Sequence, residues 1–247
     1  LWGRLLYNPQ TPDELFQAEF NRRYGSKGDN LLKAYSLASS TQLRLASLYN
    51  STWDFTLYSE GFLALQGDST KYISVDALIN QPTMASDYVS VKEYVDTVLE
   101  GKSIPEEKID PLELADLLER DNNKALKLLD NIDTKDNASL MYEIADIKTW
   151  ANLGLHLAEK IRGAVDLYTS RKTGNEEMKQ SAIEHLEKAL KSWDEVIKIT
   201  RPIYKDMKLT HYNHNYFDSN DKNLFHWQLI RDEVANDIEI AKKSMKE

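Results

Sequence analysis

The stretch 140–168, LMYEIADIKTWANLGLHLAEKIRGAVDLY, decides the fold. Apolar and small residues recur in it at alternating spacings of four and three, the pattern of a long helix whose seam packs against another helix. Glycine and alanine in the middle of the seam should let a partner backbone approach closely. The seam positions are Leu140, Ile144, Ile147, Ala151, Gly154, Ala158, Ile161, Val165 and Tyr168.

The segment that follows supplies the expected partner helix. The connector 172–175, KTGN, is short, which predicts an antiparallel hairpin of two helices. Pro202 should end or kink the second helix. Acidic and basic residues four apart on its outer face predict ion pairs along the helix. The inward residues are Ala182, Leu186, Ala189, Trp193, Val196 and Thr200, and the expected pairs are Glu184 with Lys188, Glu187 with Lys191, and Asp194 with Lys198.

Shorter helices are expected on both sides of this pair. Thr11 should cap a helix that has Pro12 at its first position and ends at Tyr24, before Gly25. Capping signals at 90–93 and 110–111 predict helices that run to about 99 and 131. The apolar stripes at 31–49 and 223–243 predict two more helices. The helical period is lost between 50 and 87, and no repeat recurs, so the fold class is all-α, an irregular helical bundle around a long antiparallel helix pair.

Composition narrows the classes of partner. Apolar residues make up 41% and charged residues 29% of the 247 residues, which is typical of a chain that buries a core. The net charge of -9 argues against nucleic acid as a partner, because such binding depends on Lys and Arg. The sequence contains no apolar run long enough for a membrane span. Cysteine is absent, which excludes disulfides and Cys-based zinc sites.

The segment 211–218, HYNHNYFD, carries the densest set of side chains suited to ligand contact, with His226 and Trp227 close behind. Sugars are held by aromatic faces against their C–H surfaces and by planar groups that bond their hydroxyls. The segment offers both, so His211, His214, Tyr216 and Trp227 are candidate carbohydrate contacts. The alternative to a binding segment is a turn-rich connection whose aromatic rings pack into the helical bundle. A metal site at His211, His214 and Asp218 is not expected, because zinc needs three or four converging ligands and a His-x-x-His pair outside a helix is poor evidence for them.

A second loop groups aromatic and acidic residues. Trp53 and Tyr58 are candidate substrate contacts, and Asp54 and Glu60 stand beside them. Two carboxylates could form an acid and base pair around a glycosidic bond, but acidic residues in loops are more often solvated. We therefore assign no catalytic residue, metal or cofactor. His156 and His185 lie among apolar helical neighbours and are expected to be packing residues.

The opening run Trp2-Gly3-Arg4-Leu5-Leu6-Tyr7-Asn8-Pro9 has the character of the interior of a longer polypeptide, and we expect the chain to be a fragment. Together with 11–14 and the helix end at 23–25, it resembles the segment that leaves the catalytic barrel in alpha-glucuronidases of glycoside hydrolase family 67. In that family the segment leads into an all-helical C-terminal domain. The close match covers about the first 25 residues.

The resemblance implies a bacterial parent enzyme that acts on polysaccharide, with a TIM barrel upstream of Leu1. The family's catalytic carboxylates belong to the barrel, so none is carried over to this chain. Residues 1–25 would leave the barrel, and 26–247 would form a non-catalytic domain that stabilises it and shapes substrate access. The barrel, an oligosaccharide and a second copy of the chain are the expected partners, and the expected location is periplasmic or secreted. A stand-alone helical module that binds a glycan or protein is the alternative, and a complete small enzyme is a third possibility.

Overall fold

Helices dominate the fold. A computed structural model describes residues 2–51, 60–66, 69–130, 132–134, 137–208, 215–216 and 224–245. It is 71% helical with small sheets, which confirms the predicted all-α class. Among these residues, we find no helix with both the length and the apolar character that a bilayer crossing requires.

The elements follow one another from a short N-terminal helix to a C-terminal one. The helices are α1 Trp2–Tyr7, α2 Asp13–Tyr24, α3 Gly28–Leu48, α4 Val75–Asn80, α5 Val91–Leu99, α6 Pro111–Leu128, α7 Ala138–Thr173, α8 Glu176–Thr200 and α9 Arg231–Lys243. Short 3-10 turns lie at Gly25–Lys27 and Trp227–Ile230. The strands are β1 Leu63–Gln66, β2 Ser69–Tyr72, β3 Met207–Lys208, β4 Asn215–Tyr216 and β5 Leu224–Phe225.

The helices α7 and α8 form the predicted antiparallel hairpin. Gly174 ends α7 in the left-handed conformation, with φ 76°, which glycine adopts without steric cost. The Asn175 side chain then accepts hydrogen bonds from the amides of Glu177, at 2.8 Å, and Met178, at 3.3 Å, and so caps α8. A two-residue link therefore reverses the chain.

The inward face of α8 is the predicted one, since all six of its expected residues are buried. The outer face differs. Asp194 pairs with Arg231 at the start of α9, with Nε–Oδ1 at 2.6 Å and Nη2–Oδ2 at 2.9 Å, and not with Lys198. Lys198 contacts Glu195 instead. A two-point Arg–carboxylate contact fixes geometry better than a single lysine contact, so it ties α9 to α8.

The close approach at Gly154 is not to α8, which corrects the prediction for this position. A Cβ atom there would lie 2.0 Å from Nδ2 of Asn122, on α6, and 2.6 Å from Oγ1 of Thr41, on α3. Gly163 is the glycine of α7 that faces α8, where a Cβ would lie 3.0 Å from Cγ of Leu186. The two glycines therefore allow close packing on different sides of α7.

Two hydrophobic clusters share α7. The larger joins α7 and α8 to the C-terminal part of α3, the N-terminal part of α6, the β1–β2 hairpin, α4, α5 and α9, and it contains the fully buried Phe62 and Trp193. The smaller joins the N-terminal part of α7 to α3 and α6. Because α2 packs on α3, residues on both sides of the proposed boundary at 25 belong to one packed structure, and the two-part division stays a prediction.

A buried polar network crosses the larger cluster. Lys160 donates to the Asp237 carboxylate and, at 2.9 Å, to the Tyr72 hydroxyl. Asp237 also accepts the Val75 amide at 2.7 Å, which anchors the start of α4. Burial opposes charge on both groups, lowering the pKa of Lys160 and raising that of Asp237, and each group opposes the shift of the other. The network connects α7, α9, β2 and α4.

Small sheets occupy part of the region where the helical period is lost. β1 and β2 pair antiparallel from Leu63 opposite Tyr72, and β4 joins β2 in parallel, with Ser69 opposite Asn215. A separate pair, β3 and β5, places Met207 opposite Phe225. The sheets bring chain segments from around 65 and 215 together, which the sequence pattern does not indicate.

Helix starts were predicted correctly where a side chain caps free amides. Asp110 accepts from the amides of Leu112 and Glu113, and Ser90 accepts from Glu93. The start of α2 was predicted wrongly, because the Thr11 hydroxyl donates to the Asn8 carbonyl at 2.6 Å and does not cap the helix.

The last helix also begins later than predicted. The His226 side chain accepts from the Gln228 amide and starts a 3-10 turn, so α9 begins at Arg231. The inward residues Ile230, Val234 and Ala241 are buried as expected.

Candidate functional site

A cavity of about 360 Å³ opens beside α7 and is the candidate functional site. Its helical wall consists of Asp146, Thr149, Trp150 and Leu153. These positions follow the i, i+3, i+4, i+7 spacing that places side chains on one face of a helix. Aromatic and carboxylate groups of α7 therefore face the same space.

The opposite wall comes from chain segments far apart in sequence. One follows the end of α8, one is β5 with the 3-10 turn after it, and one precedes β1. Pairing of β3 with β5 holds the first two side by side. The lining residues of these segments are Tyr204, Lys205, Met207, Phe225, His226, Trp227 and Glu60.

Trp227 is held in place from both ends. Its indole Nε1 donates to the Glu60 carbonyl at 3.0 Å. Its own carbonyl accepts the Nε1 proton of the buried Trp193, also at 3.0 Å. Since both partners are fixed by the core or by the chain before β1, the ring is preorganised and needs little ordering when a ligand arrives.

Aromatic rings surround Trp227. Its ring centroid lies 5.2 Å from that of Phe225 and 6.4 Å from that of Tyr204. Phe225 is buried, whereas Tyr204 is 37% exposed, so part of the tyrosine is accessible to solvent. Half-exposed Trp and Tyr rings offer a flat apolar surface with a polar edge, a combination that suits carbohydrate.

Asp146 supplies a carboxylate to this aromatic setting. The Tyr204 hydroxyl donates to its Oδ1 atom. Burial raises the pKa of Asp146, the hydrogen bond from Tyr204 opposes this shift, and the nearby Glu143 adds to it. The pair places an acceptor for ligand hydroxyls between Trp150 and Tyr204.

His226 is a buried lining residue that also supports the wall of the cavity. The residue is 1% exposed, and its Nδ1 accepts the Gln228 amide at 3.0 Å. Burial lowers the pKa of His226, and the positive charge of Arg201 lowers it further. Asp206 and the Thr200 carbonyl act in the opposite direction but do not cancel the shift. The ring is therefore neutral, and it fixes the turn that carries Trp227.

Of the predicted contact residues, Trp227 lines the cavity, and Glu60 from the second loop lies beside it. The backbone of Tyr216 pairs with Thr70 in the β2–β4 ladder. Two contacts bring the edges of the two predicted loops together. They are this β2–β4 ladder and the hydrogen bond from Trp227 to the Glu60 carbonyl. The residues outside the described part of the chain are Trp53, Asp54, Tyr58, His211, His214 and Asp218.

Sequence reasoning missed the contribution of α7. Trp150 stands one position before the seam residue Ala151, and Asp146 stands one before Ile147. Because α7 was interpreted as a packing helix, neither residue was considered as a ligand contact. The available signal was a large aromatic residue beside the seam, where a polar residue is expected on a solvated face. Tyr204 gave no comparable signal, because it lies in an irregular segment.

Of the two helical histidines, His156 is a buried packing residue, as predicted, whereas His185 is partly exposed. His156 lies between Tyr72, whose hydroxyl is 3.2 Å from Nε2, and the Ala189 carbonyl, 3.0 Å from Nδ1. Burial, with Lys160 close by, lowers the pKa of His156 to about 3. His185 contacts Glu159 at 2.6 Å on the surface between α7 and α8. Within the described ranges, no group of three acidic or histidine side chains has the arrangement of a metal site.

The fold is shared with part of a known enzyme. The chain is similar to a solved structure of a GH138 enzyme targeting pectin rhamnogalacturonan II, with a TM-score of 0.73 and 15% sequence identity. The similarity covers 98% of this chain and 36% of that one, so this chain spans about a third of the enzyme's length. At this identity the likeness shows a common fold with a segment of a glycoside hydrolase. No protein-family model and no curated protein matches the sequence.

Proposed function

We propose that this chain is a non-catalytic helical domain of a larger bacterial protein that acts on polysaccharide, similar in kind to alpha-glucuronidases. In this proposal the domain stabilises a catalytic barrel and contributes carbohydrate contacts at its cavity. A periplasmic or secreted location belongs to the same proposal, because polysaccharide is met outside the cytoplasm.

The observation that carries the proposal is the composition of the cavity. Trp150, Tyr204 and Trp227 line it together with Asp146, whose carboxylate accepts the Tyr204 hydroxyl. Its volume of about 360 Å³ is at the lower end of the range for small-molecule sites, about 300–1,000 Å³, and accommodates one or two sugar rings. Rings with one polar group among them match the alternating C–H and hydroxyl surfaces of a sugar.

The likeness to the GH138 enzyme supports a domain role. That enzyme targets a pectin, and the shared fold accounts for 36% of its chain. The helical fold therefore makes up about a third of that enzyme and leaves room for a separate catalytic domain, which a helical domain could stabilise. The exposed Leu6 and Tyr7 of α1, at 77% and 87% exposure, offer apolar surface for such a neighbour.

A binding experiment tests the carbohydrate contact. Xylan and pectin oligosaccharides are titrated into the 247-residue chain, with detection by calorimetry and tryptophan fluorescence. The Trp150→Ala variant should bind more weakly by about 0.5–1.5 kcal/mol, or roughly 2- to 12-fold, because one ring face is lost.

The matched control is Tyr142→Ala, which removes an exposed aromatic residue of α7 that does not line the cavity. Circular dichroism verifies that both variants fold. Equal affinities of Trp150→Ala and the parent chain would exclude this cavity as the contact site.

Absence of turnover tests the non-catalytic part of the proposal. Hydrolysis of a glycosidic bond requires two carboxyl groups placed on either side of it. The chain alone should release no product from aryl glycosides or glucuronoxylan fragments. A measurable rate that Asp146→Asn abolishes would reverse this assignment and make the cavity an active site.

A stand-alone binding module is the second candidate. It is favoured by the walls of the cavity, which α7, the segment after α8, the β5 turn and the segment before β1 supply. The coding sequence upstream of Leu1 separates the two candidates. A barrel of alternating strands and helices there supports the domain role, and another type of domain or none supports the module.

A further inference from the structure

Two of the residues that line the cavity are acidic. Asp146 and Glu60 are both lining residues, and the backbone carbonyl of Glu60 accepts the hydrogen bond from Trp227. An ionised carboxylate accepts hydrogen bonds at both oxygens, and the Tyr204 hydroxyl occupies one position on Asp146. Hydroxyl donors of a ligand are therefore the natural partners of Asp146.

Positive charge at the cavity is limited. Among the described lining residues, Lys205 carries a cation, and it is exposed. A solvated lysine is a flexible point charge and does not recognise a carboxylate in the two-point manner of arginine. The net charge of -9 for the whole chain adds to the negative potential.

We infer that the cavity takes a neutral glycosyl unit and disfavours uronic acids. This inference rests on the proposed carbohydrate contact and adds the charge of the sugar. A neutral hexose donates its hydroxyls to Asp146 while its C–H face lies on Trp150 or Trp227. A uronate would instead place its own carboxylate beside Asp146 in a partly desolvated space, where like charges repel strongly.

Paired sugars that differ only at C6 test the inference. Methyl galactoside and methyl galacturonate, and the corresponding glucose pair, are titrated into the 247-residue chain at neutral pH. The neutral member of each pair should bind at least about tenfold more tightly, because like-charge contacts at interfaces are strongly unfavourable. The methyl ester of the galacturonate, which is neutral, should recover most of the difference.

Two variants assign the preference to the cavity. Asp146→Asn keeps the side-chain volume and an acceptor for Tyr204 but removes the charge, so the ratio of neutral to acidic affinity should fall several-fold. Trp150→Ala should weaken both members of a pair equally, because it removes ring surface and no charge.

The outcomes separate this inference from the proposed function. If the uronate binds as well as the neutral sugar, and Trp150→Ala weakens both, the carbohydrate contact stands and the neutral preference is wrong. If no sugar binds, or Trp150→Ala has no effect on binding, the proposed contact fails and the preference fails with it.

Discussion

At the scale of single residues, Asp146 couples the charge of the cavity to the stability of the fold. Burial raises its pKa, and the Tyr204 hydrogen bond opposes that shift. The folded protein therefore holds the proton of this carboxyl more tightly than the unfolded chain does. The stability contributed by this proton is present below the ordinary pKa of Asp and is lost as the pH rises through the folded-state value.

The variant Asp146→Asn makes this coupling measurable. As the pH rises from about 4, the ordinary pKa of Asp, through the higher folded-state pKa, the parent chain should lose stability relative to the variant, because the amide of asparagine does not ionise. The free energy of unfolding is measured by urea denaturation at several pH values. In Tyr204→Phe the hydrogen bond that lowers the pKa is lost, so the pH dependence should become steeper. Parallel profiles for the parent chain and Asp146→Asn would contradict the coupling.

At the scale of elements, α7 packs on two sides at once. Gly163 faces Leu186 of α8, whereas Gly154 faces Asn122 of α6 and Thr41 of α3. Asn122 is buried and donates to the Thr41 hydroxyl at 3.3 Å and to the Leu118 carbonyl at 2.8 Å. Its side chain therefore has little freedom to move away from an added methyl group.

The substitution Gly154→Ala should destabilise the protein in spite of the higher helix propensity of alanine. Overpacking costs about 1–3 kcal/mol, against a propensity gain of about 1 kcal/mol. Thermal unfolding of Gly154→Ala is compared with that of Gly3→Ala, where a Cβ meets no atom within 4 Å. The double variant Gly154→Ala/Asn122→Ala should recover part of the loss, and an unchanged melting temperature in Gly154→Ala would show that the contact is not tight.

The helices could be predicted from the sequence where their signals are local. The buried face of α8 follows from its apolar spacing, and the starts of α5 and α6 follow from Ser90 and Asp110. The start of α2 could not be predicted in this way, because Thr11 has a competing acceptor in the Asn8 carbonyl. A capping signal specifies a possible hydrogen bond, and tertiary geometry decides which one forms.

The cavity could be predicted only in part. Trp227 lies in an aromatic segment that draws attention by its composition, whereas Trp150 and Asp146 lie one position away from a packing seam. The site also depends on contacts across long sequence separations, those of Trp227 with Glu60 and of Tyr204 with Asp146. Such pairings follow from the tertiary fold and leave no periodic trace in the chain.

At the scale of the whole molecule, the Lys160–Asp237 pair links the central helix to the C-terminal one. Both side chains are almost completely buried, at 1% and 3% exposure. Removing one member of a buried pair leaves the other without compensation, whereas replacing both can be nearly neutral. The pair therefore stabilises the arrangement of α7 and α9 as a unit.

The substitution Lys160→Met should destabilise the protein by about 3–5 kcal/mol, because the Asp237 carboxyl is then buried without its cation. In Lys160→Met/Asp237→Asn the amide is neutral and can still accept the Val75 amide, so a substantial part of the loss should be recovered. Urea unfolding at neutral pH measures both variants. A double variant no more stable than Lys160→Met would indicate that packing, and not charge, is responsible.

The length of α7 determines how cooperatively the protein unfolds. Its 36 residues extend about 54 Å at about 1.5 Å per residue, and the rod passes through both hydrophobic clusters. Because α7 contributes to both clusters, one cluster cannot unfold while α7 stays helical along its full length in the other. Differential scanning calorimetry should accordingly record a single endotherm whose calorimetric and van't Hoff enthalpies agree. Two resolved endotherms would mean that the rod breaks between the clusters.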